Sequence, residues 1–518
     1  MTDDRSAKAG NEQTENATAS VEATFASAPV AIRPDSGGPT TPADDHRTAE
    51  PPLRPISRVV PLTIAMALFI EFLDASLVAT ALPSMARELQ LPAHALSLTI
   101  TVYLVSLAVV VPASGWIADR FGARRTLVTA IVIFLCGSTL AGFSRSMPEL
   151  LTGRAMQGAA GALMMPVGRL IILKTVPRHQ LMQAWVWLTM PALIGPMMGP
   201  PLAGLVVTIA SWRWIFWINI PIGIVGALVA FAYLPDVKEK DVPPFDVQGF
   251  VLSATAIACG VFALEAIGRK VFPAWTSIAL VIAGLHALIL YLQHARNHPR
   301  PIIDTTLFRL PTFRASVIGG FIFRIAVGAS PFLLPLQLQI GFGQSALRAG
   351  LTVFVGAMGA MAVKPVVAPL VHRFGFRRML IVNAIIAACL MSALSLVTAT
   401  TPQYLTMLLI FLGGFFRSLE FTTLATMSYA DVERDRMSRA TTVASMFQQI
   451  SMSFGVAVAA GLLHALPAWR GATTTSTVDF STAFLIVGIL SGLSSLVFAF
   501  MPANAGAALL LENTKGRR

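Results

Sequence analysis

Runs of twenty or more mostly apolar residues recur from residue 61 to residue 501, separated by short links that carry most of the charge. A backbone inside lipid has no water to bond, so a chain built this way can cross only as helices that satisfy their own N–H and C=O groups. Fourteen spans are expected, with cores near 61–83, 95–117, 126–144, 149–173, 183–207, 212–234, 247–267, 275–294, 313–338, 346–370, 379–399, 404–428, 441–465 and 480–501. The composition agrees. Only 12% of residues are charged, 55% are hydrophobic and the mean hydropathy is +0.69, whereas a soluble domain carries about 25% charged residues. The fold class is therefore an all-α polytopic membrane protein.

The net charge of +12 does not point to nucleic acid, because the basic residues stand in the links and read as topology signals. Seventeen Lys and Arg residues lie in links after even-numbered spans, among them Arg120, Arg124, Arg125, Lys174, Arg178, Lys240 and Arg434. Seven lie after odd-numbered spans, such as Arg87, Arg269 and Lys270. Both termini are thus expected in the cytoplasm. Residues 1–57, rich in Thr, Ala, Pro, Asp and Glu, read as a disordered tail without the pattern of a signal peptide. Residues 503–518 read as a second tail. Cys136, Cys259 and Cys389 fall far apart inside spans, show no metal spacing and receive no role.

The chain repeats itself. GWIADRFGARR at 115–125 follows span two and APLVHRFGFRR at 368–378 follows span ten. Arg154 and Gln157 of span four correspond to Arg417 and Glu420 of span twelve, each pair at i, i+3. Two equivalent six-helix bundles are expected, at 58–234 and 311–502, with links and two inserted spans at 235–310 between them. Repeats of this kind build alternating access around a central site.

Ionisable groups inside spans are costly and functional by default. Glu71 and Asp74 share one face of span one at i, i+3 and are proton-carrier candidates. Arg154 lies in the outer half of span four, where position alone would let it snorkel; the carboxylates of span one and the repeat-related Arg417 point it inward. Gln157, Arg324, Lys364, Arg417 and Glu420 are candidate cavity residues, and Glu265 reads as a surface group. In the loop after span two, Gly115 is expected to allow a close backbone approach. Asp119 should accept from a helix N-terminus, and Gly122 should permit the turn. Arg120, Arg124 and Arg125 should anchor the inner face, with His372, Arg373 and Gly375 as the second copy. In span five, Pro191, Pro196, Pro200 and Pro201 are expected to interrupt or kink the helix. Gly195, Gly199 and Gly204 should let a neighbour pass close. Trp185, Trp187, Met164 and Met165 read mainly as packing or lipid contacts. No phosphate-cradling loop, nucleophile arrangement or His/Cys metal spacing stands out, so neither ATP nor a metal is expected.

These motifs resemble the major facilitator superfamily. GWIADRFGARR is similar to its loop signature and LLTGRAMQGAAGA to its span-four motif. ALIGPMMGPPLAG resembles the antiporter motif of span five. LDASLVATALP and WRWIFWINIPIG resemble the fourteen-span drug:proton antiporters of EmrB/QacA type. RLIILKTVPR and LPLQLQIGFG bring the chain nearest to the HsrA-like branch. The likeness covers residues 58–502. It implies a major facilitator fold of two six-helix bundles plus two inserted helices, and proton-driven export across a bacterial inner membrane with no cofactor. By position, Asp74 and Arg154 would couple the proton, with Glu71 additional to the common pattern. Gly115, Asp119 and Arg120 would form the cytoplasmic gate, and Gly195, Pro196 and Gly199, with Pro200 beside them, the antiporter hinge. His372 stands where the second loop copy would match Asp119, so that latch is expected to be weaker or sensitive to pH.

The expected function is a proton-coupled secondary transporter, not an enzyme, exporting drugs or other small amphipathic compounds by alternating access. Its partners are a small-molecule substrate, protons and the lipid bilayer. Nucleic acid is excluded, no periplasmic adaptor is named by the sequence, and the chain is read as a monomer. Two alternatives stand beside this reading: an exporter of a specific metabolite or organic acid, and a non-transporting membrane sensor.

Overall fold

The computed structural model describes residues 59–176, 181–239, 242, 244–266, 274–299, 301–433, 436–472 and 474–502. The two tails and the basic residues Arg178, Lys240, Arg269, Lys270, Arg300 and Arg434 lie outside the described residues, as do the side chains of Trp185, Pro191 and Glu265.

The described chain is helical throughout its ordered elements. Thirteen helices are long and apolar enough to cross a bilayer. In chain order they are α1 (Val59–Leu89), α2 (His94–Phe121), α3 (Ala123–Phe143) and α4 (Met147–Thr175), then α6 (Trp214–Tyr233), α7 (Val247–Ala266), α8 (Ala274–Asn297) and α9 (Pro311–Gly341). The last five are α10 (Ala346–Val366), α11 (Phe376–Leu396), α12 (Gln403–Ser428), α13 (Met437–Trp469) and α14 (Thr477–Ala499). The helix α5 (Leu181–Ile209) lies between α4 and α6, and its segment Ile194–Ile209 is apolar. It is one continuous helix through its four prolines, so they do not interrupt it as the sequence led us to expect.

Among the first six helices, α1 packs along α5, α4 packs against α2 and α3, and α6 lies on α1 and α3. The last six repeat the scheme: α9 packs along α13, α12 against α10 and α11, and α14 on α9 and α11. The two sets meet along α5–α10 and α2–α13. The inserted pair α7–α8 is placed on the second seam, with α7 touching both α2 and α13. Its outer surface is apolar: Trp275, Ile278, Ile282, Leu285 and Ile289 of α8 are exposed, an arrangement that requires lipid rather than water around it.

Close passage is made by missing side chains. A Cβ on Gly199 would lie 1.7 Å from Ser76 Oγ, and one on Gly195 would lie 3.0 Å from the Leu73 backbone nitrogen, which sets α5 against α1. A Cβ on Gly350 would lie 2.2 Å from the Pro200 carbonyl oxygen, setting α10 against α5. The loop repeat is visible in the backbone. Gly122 and Gly375 each close one helix and open the next, with φ of 97° and 73°, a conformation that favours glycine.

Candidate functional site

The first six helices enclose a polar knot. Asp74, fully buried on α1, accepts from Arg154 Nη1 of α4 at 2.5 Å on Oδ2. Its Oδ1 accepts from Gln157 Nε2 at 2.9 Å and Asn219 Nδ2 of α6 at 2.8 Å. Ser138 of α3 accepts from both amides, at 2.7 and 3.3 Å. Arg154 is 1% exposed. It also donates to the Thr99 carbonyl at 3.0 Å and to Gln157 Oε1 at 2.8 Å, and its guanidinium lies 4.4 Å from the centre of the Tyr103 ring. Snorkelling is thereby excluded: the long side chain is spent on α1 and α2, not on a surface.

Glu71 lies nearly one turn back on the same helix and is also buried. Among the described residues its Oε2 has no hydrogen-bond partner, and Gly161 of α4 faces it at 3.4 Å from the Cβ position. The charges it feels most are Arg169 and Asp74. Arg154 therefore answers Asp74, and Glu71 is left with a bare oxygen. Asn219, Ser138 and Arg169 escaped the sequence reading. The signal for Asn219 was a single amide within the apolar run WINIPIG.

A cavity of about 390 Å³ opens beside this knot, lined from α1 by Phe72, Ala75, Ser76 and Thr80, from α5 by Pro196 and Pro200, and otherwise by α9–α12 and Ser491. Of the five residues expected to line a cavity, Arg417 does so. The other four do not. Gln157 belongs to the Asp74 knot. Arg324 is buried 5.4 Å from the Phe421 ring centre. Lys364 is exposed and donates to Thr422 at 3.0 Å. Glu420 is buried, accepting from Asn383 of α11 at 2.7 Å. Periodicity placed them within spans, but the direction each faces depends on packing.

At the loop end, the roles shift between residues. Gly115 is open on its Cβ side, so the close approach expected there is absent. It occurs at Gly122, where a Cβ would come within 2.5 Å of Asp236. Asp119 does not cap a neighbouring helix. It pairs with Lys174 at the end of α4, 3.3 Å away, and Lys174 also reaches Glu239 at 2.5 Å. Arg125 and Arg124 approach Asp236 at 3.4 and 4.0 Å, and Arg120 is exposed. Lys174 holds the Glu239 carboxyl below its ordinary pKa. The acidic residues after α6 were overlooked because that link was read for its basic residues alone. In the second copy, His372 and Arg373 are exposed, and Arg373 lies 5.7 Å from the Phe374 ring centre.

At the opposite end of the bundle, His94 at the start of α2 and His464 near the end of α13 come within 3.3 Å, nitrogen to nitrogen. Trp212 and Arg213 of the WRWIF stretch both bond to Glu88 at the end of α1, Trp212 at 2.7 Å. Asp246, His294 and His298 place three ligand-type atoms within 4.8 Å of one another, and the i, i+4 histidine spacing was missed in the sequence. Asp246 already accepts from the Gly249 and Ile302 backbone and meets His294 at 2.8 Å, so the group locks α7 to α8.

The family model described as Major Facilitator Superfamily matches residues 64–456 and 316–515. The chain is 39% identical over 457 residues to "Putative multidrug resistance protein MdtD" of Escherichia coli strain K12, covering 87% of this chain and 96% of that one. The protein of the same description from strain S88 of serotype O45:K1 is 38% identical over equal lengths. A D-xylose-proton symporter superposes with a TM-score of 0.63 at 15% identity, covering 86% of this chain and 98% of that one. An auto-inhibited peptide transporter of the POT family gives 0.65 at 16%, covering 87% and 99%. At such identities the two structures speak for the fold. With the family model and the 39% relative beside them, the chain belongs to the major facilitator superfamily and is a multi-pass membrane secondary transporter, not an enzyme.

Proposed function

We propose that this transporter exports small amphipathic compounds, drugs among them, in exchange for protons across a bacterial inner membrane, with both termini in the cytoplasm. The drug class follows the description of the 39% relative, and the orientation follows the basic links. The observation that carries the proton reading is the contrast on α1. Asp74 accepts from three side-chain donors, whereas one Glu71 oxygen accepts from none among the described residues. That oxygen is the place in the knot where a proton can be added without displacing a donor.

The two six-helix bundles, 58–234 and 311–502, rock about α5–α10 and α2–α13. A nearby arginine favours an ionised carboxylate, and its withdrawal favours the protonated one. Arg154 clasps Asp74 in the state described here. Movement of α4 against α1 changes that contact, and a proton is exchanged through Glu71 and Asp74. Only such a difference between states lets proton binding bias the equilibrium; equal contact in both would shift nothing. The Asp119–Lys174–Glu239 and Asp236–Arg125 contacts form the cytoplasmic latch, and Gly195, Pro196, Gly199 and Pro200 the surface on which α1 and α10 move.

The test is proton-driven uptake into everted membrane vesicles. Asp74→Asn and Arg154→Ala should each abolish it while the protein still reaches the membrane. Full uptake by either variant removes that residue from the coupling machinery.

A further inference from the structure

We infer that the cavity beside α9 and α12 binds its substrate through an anionic group, a carboxylate on an apolar body, with Arg417 as the anchor. This rests on the transport reading above and narrows its substrate class. Arg417 is the charged residue among those lining the cavity. Its Nη1 donates to Ser330 Oγ at 2.8 Å, and among the described residues no carboxylate pairs with it. Glu420, one turn away, is turned to Asn383 and does not line the cavity.

The internal repeat sharpens the point. Arg154, its counterpart, is answered by Asp74. The residue that faces Arg417 from α9 is Ser330, as Asp74 faces Arg154 from α1. Helix packing gives the same register: a Cβ on Gly195 of α5 would meet the Phe69 carbonyl oxygen and the Leu73 nitrogen, and one on Gly455 of α13 would meet the Ile325 carbonyl oxygen and the Ala329 nitrogen. The aspartate of the first half is thus replaced by a serine that lines the cavity. The second half keeps the cation and has lost its anion. A half-buried cation within a span, with one hydroxyl partner, is costly, and a planar guanidinium with free N–H groups suits a carboxylate. The remaining walls, Phe72, Phe323, Met391, Leu394 and Ile410 among them, suit a hydrocarbon or aromatic body. The volume lies at the small end of the usual small-molecule range.

The experiment is equilibrium binding to the purified full chain in nanodiscs without any gradient. The probes are 2-naphthoate, the cation 2-naphthylmethylammonium and neutral 2-naphthamide. The wild type should prefer naphthoate to both by about tenfold or more. Arg417→Gln should erase that preference, and Arg417→Lys should restore part of it. Equal binding of the three by the wild type, preference for the cation, or an unchanged preference in Arg417→Gln overturns the inference. The wild-type series decides even if a variant fails to fold. Failure of the transport reading looks different: naphthoate then binds through Arg417, but vesicles show no proton-driven movement of any probe.

Discussion

Arg154 of α4 holds Asp74 of α1 at 2.5 Å inside the first bundle, both side chains about 1% exposed. Such a pair is weak evidence for stability as it stands, but breaking it leaves a buried charge uncompensated. Arg154→Ala should destabilise the protein by about 3–5 kcal/mol. The double variant Arg154→Ala with Asp74→Asn should recover part of that loss. Thermal unfolding of the four proteins in detergent gives the coupling; additive losses would mean that the two residues act independently.

Gly199 meets Ser76 where α5 crosses α1. A methyl group there forces the helices apart, at a cost of about 1–3 kcal/mol. Gly461→Ala, at a glycine of α13 with nothing within 4 Å, serves as the control. Gly199→Ala should lower both thermal stability and transport, and Gly461→Ala should lower neither. Equal behaviour of the two would contradict the close packing of α1 on α5.

Much of this was legible in the sequence, and the exceptions share a cause. Apolar run length gave the helices, because lipid leaves no alternative. The repeated RFG loop gave the equivalence of Gly122 and Gly375, because each turn needs a positive φ. Spacing along α1 placed Glu71 and Asp74 on one face but could not say which would meet Arg154; that depends on Gln157, Asn219 and Ser138 converging from α4, α6 and α3. Spacing likewise put Arg324, Lys364, Arg417 and Glu420 in spans, yet only the crossing of α9, α10, α11 and α12 decides that Arg417 alone of these faces the cavity.

His94 and His464 join α2 to α13 at the end of the bundle away from Asp119. If the bundles rock, this contact breaks and reforms once per cycle. Replacing both with cysteine and bridging them with a short bifunctional thiol reagent should stop transport. Each single-cysteine variant, treated alike, should keep it. Undiminished transport by the bridged protein would mean that α2 and α13 do not separate there.

Asp246 and Asp304 sit outside the spans, at the junctions of α7, α8 and α9. Burial works against ionisation of both. For Asp246, the donors Gly249, His294 and Ile302 outweigh it, and for Asp304 the donors are Thr306 and Arg436, so both pKa values fall below the ordinary 3.8. A lowered carboxylate stabilises the fold fully above its ordinary value and loses that contribution as pH falls through its shifted one. The stabilisation is therefore present at neutral pH and disappears below pH 3.8. Asp304→Asn should destabilise the protein at pH 7 by about 1–3 kcal/mol, with the difference from wild type shrinking in acid. A difference that grows in acid would reverse the assigned sign.

The central claim is that Glu71 is the carboxylate free to exchange a proton while Asp74 is held by Arg154. Substrate-dependent proton flux, followed with a pH-sensitive dye in proteoliposomes, tests it most directly. The account predicts flux in the wild type and none in Glu71→Gln, with the Arg154–Asp74 pair intact and the fold unchanged. Proton flux at the wild-type rate in Glu71→Gln would contradict it.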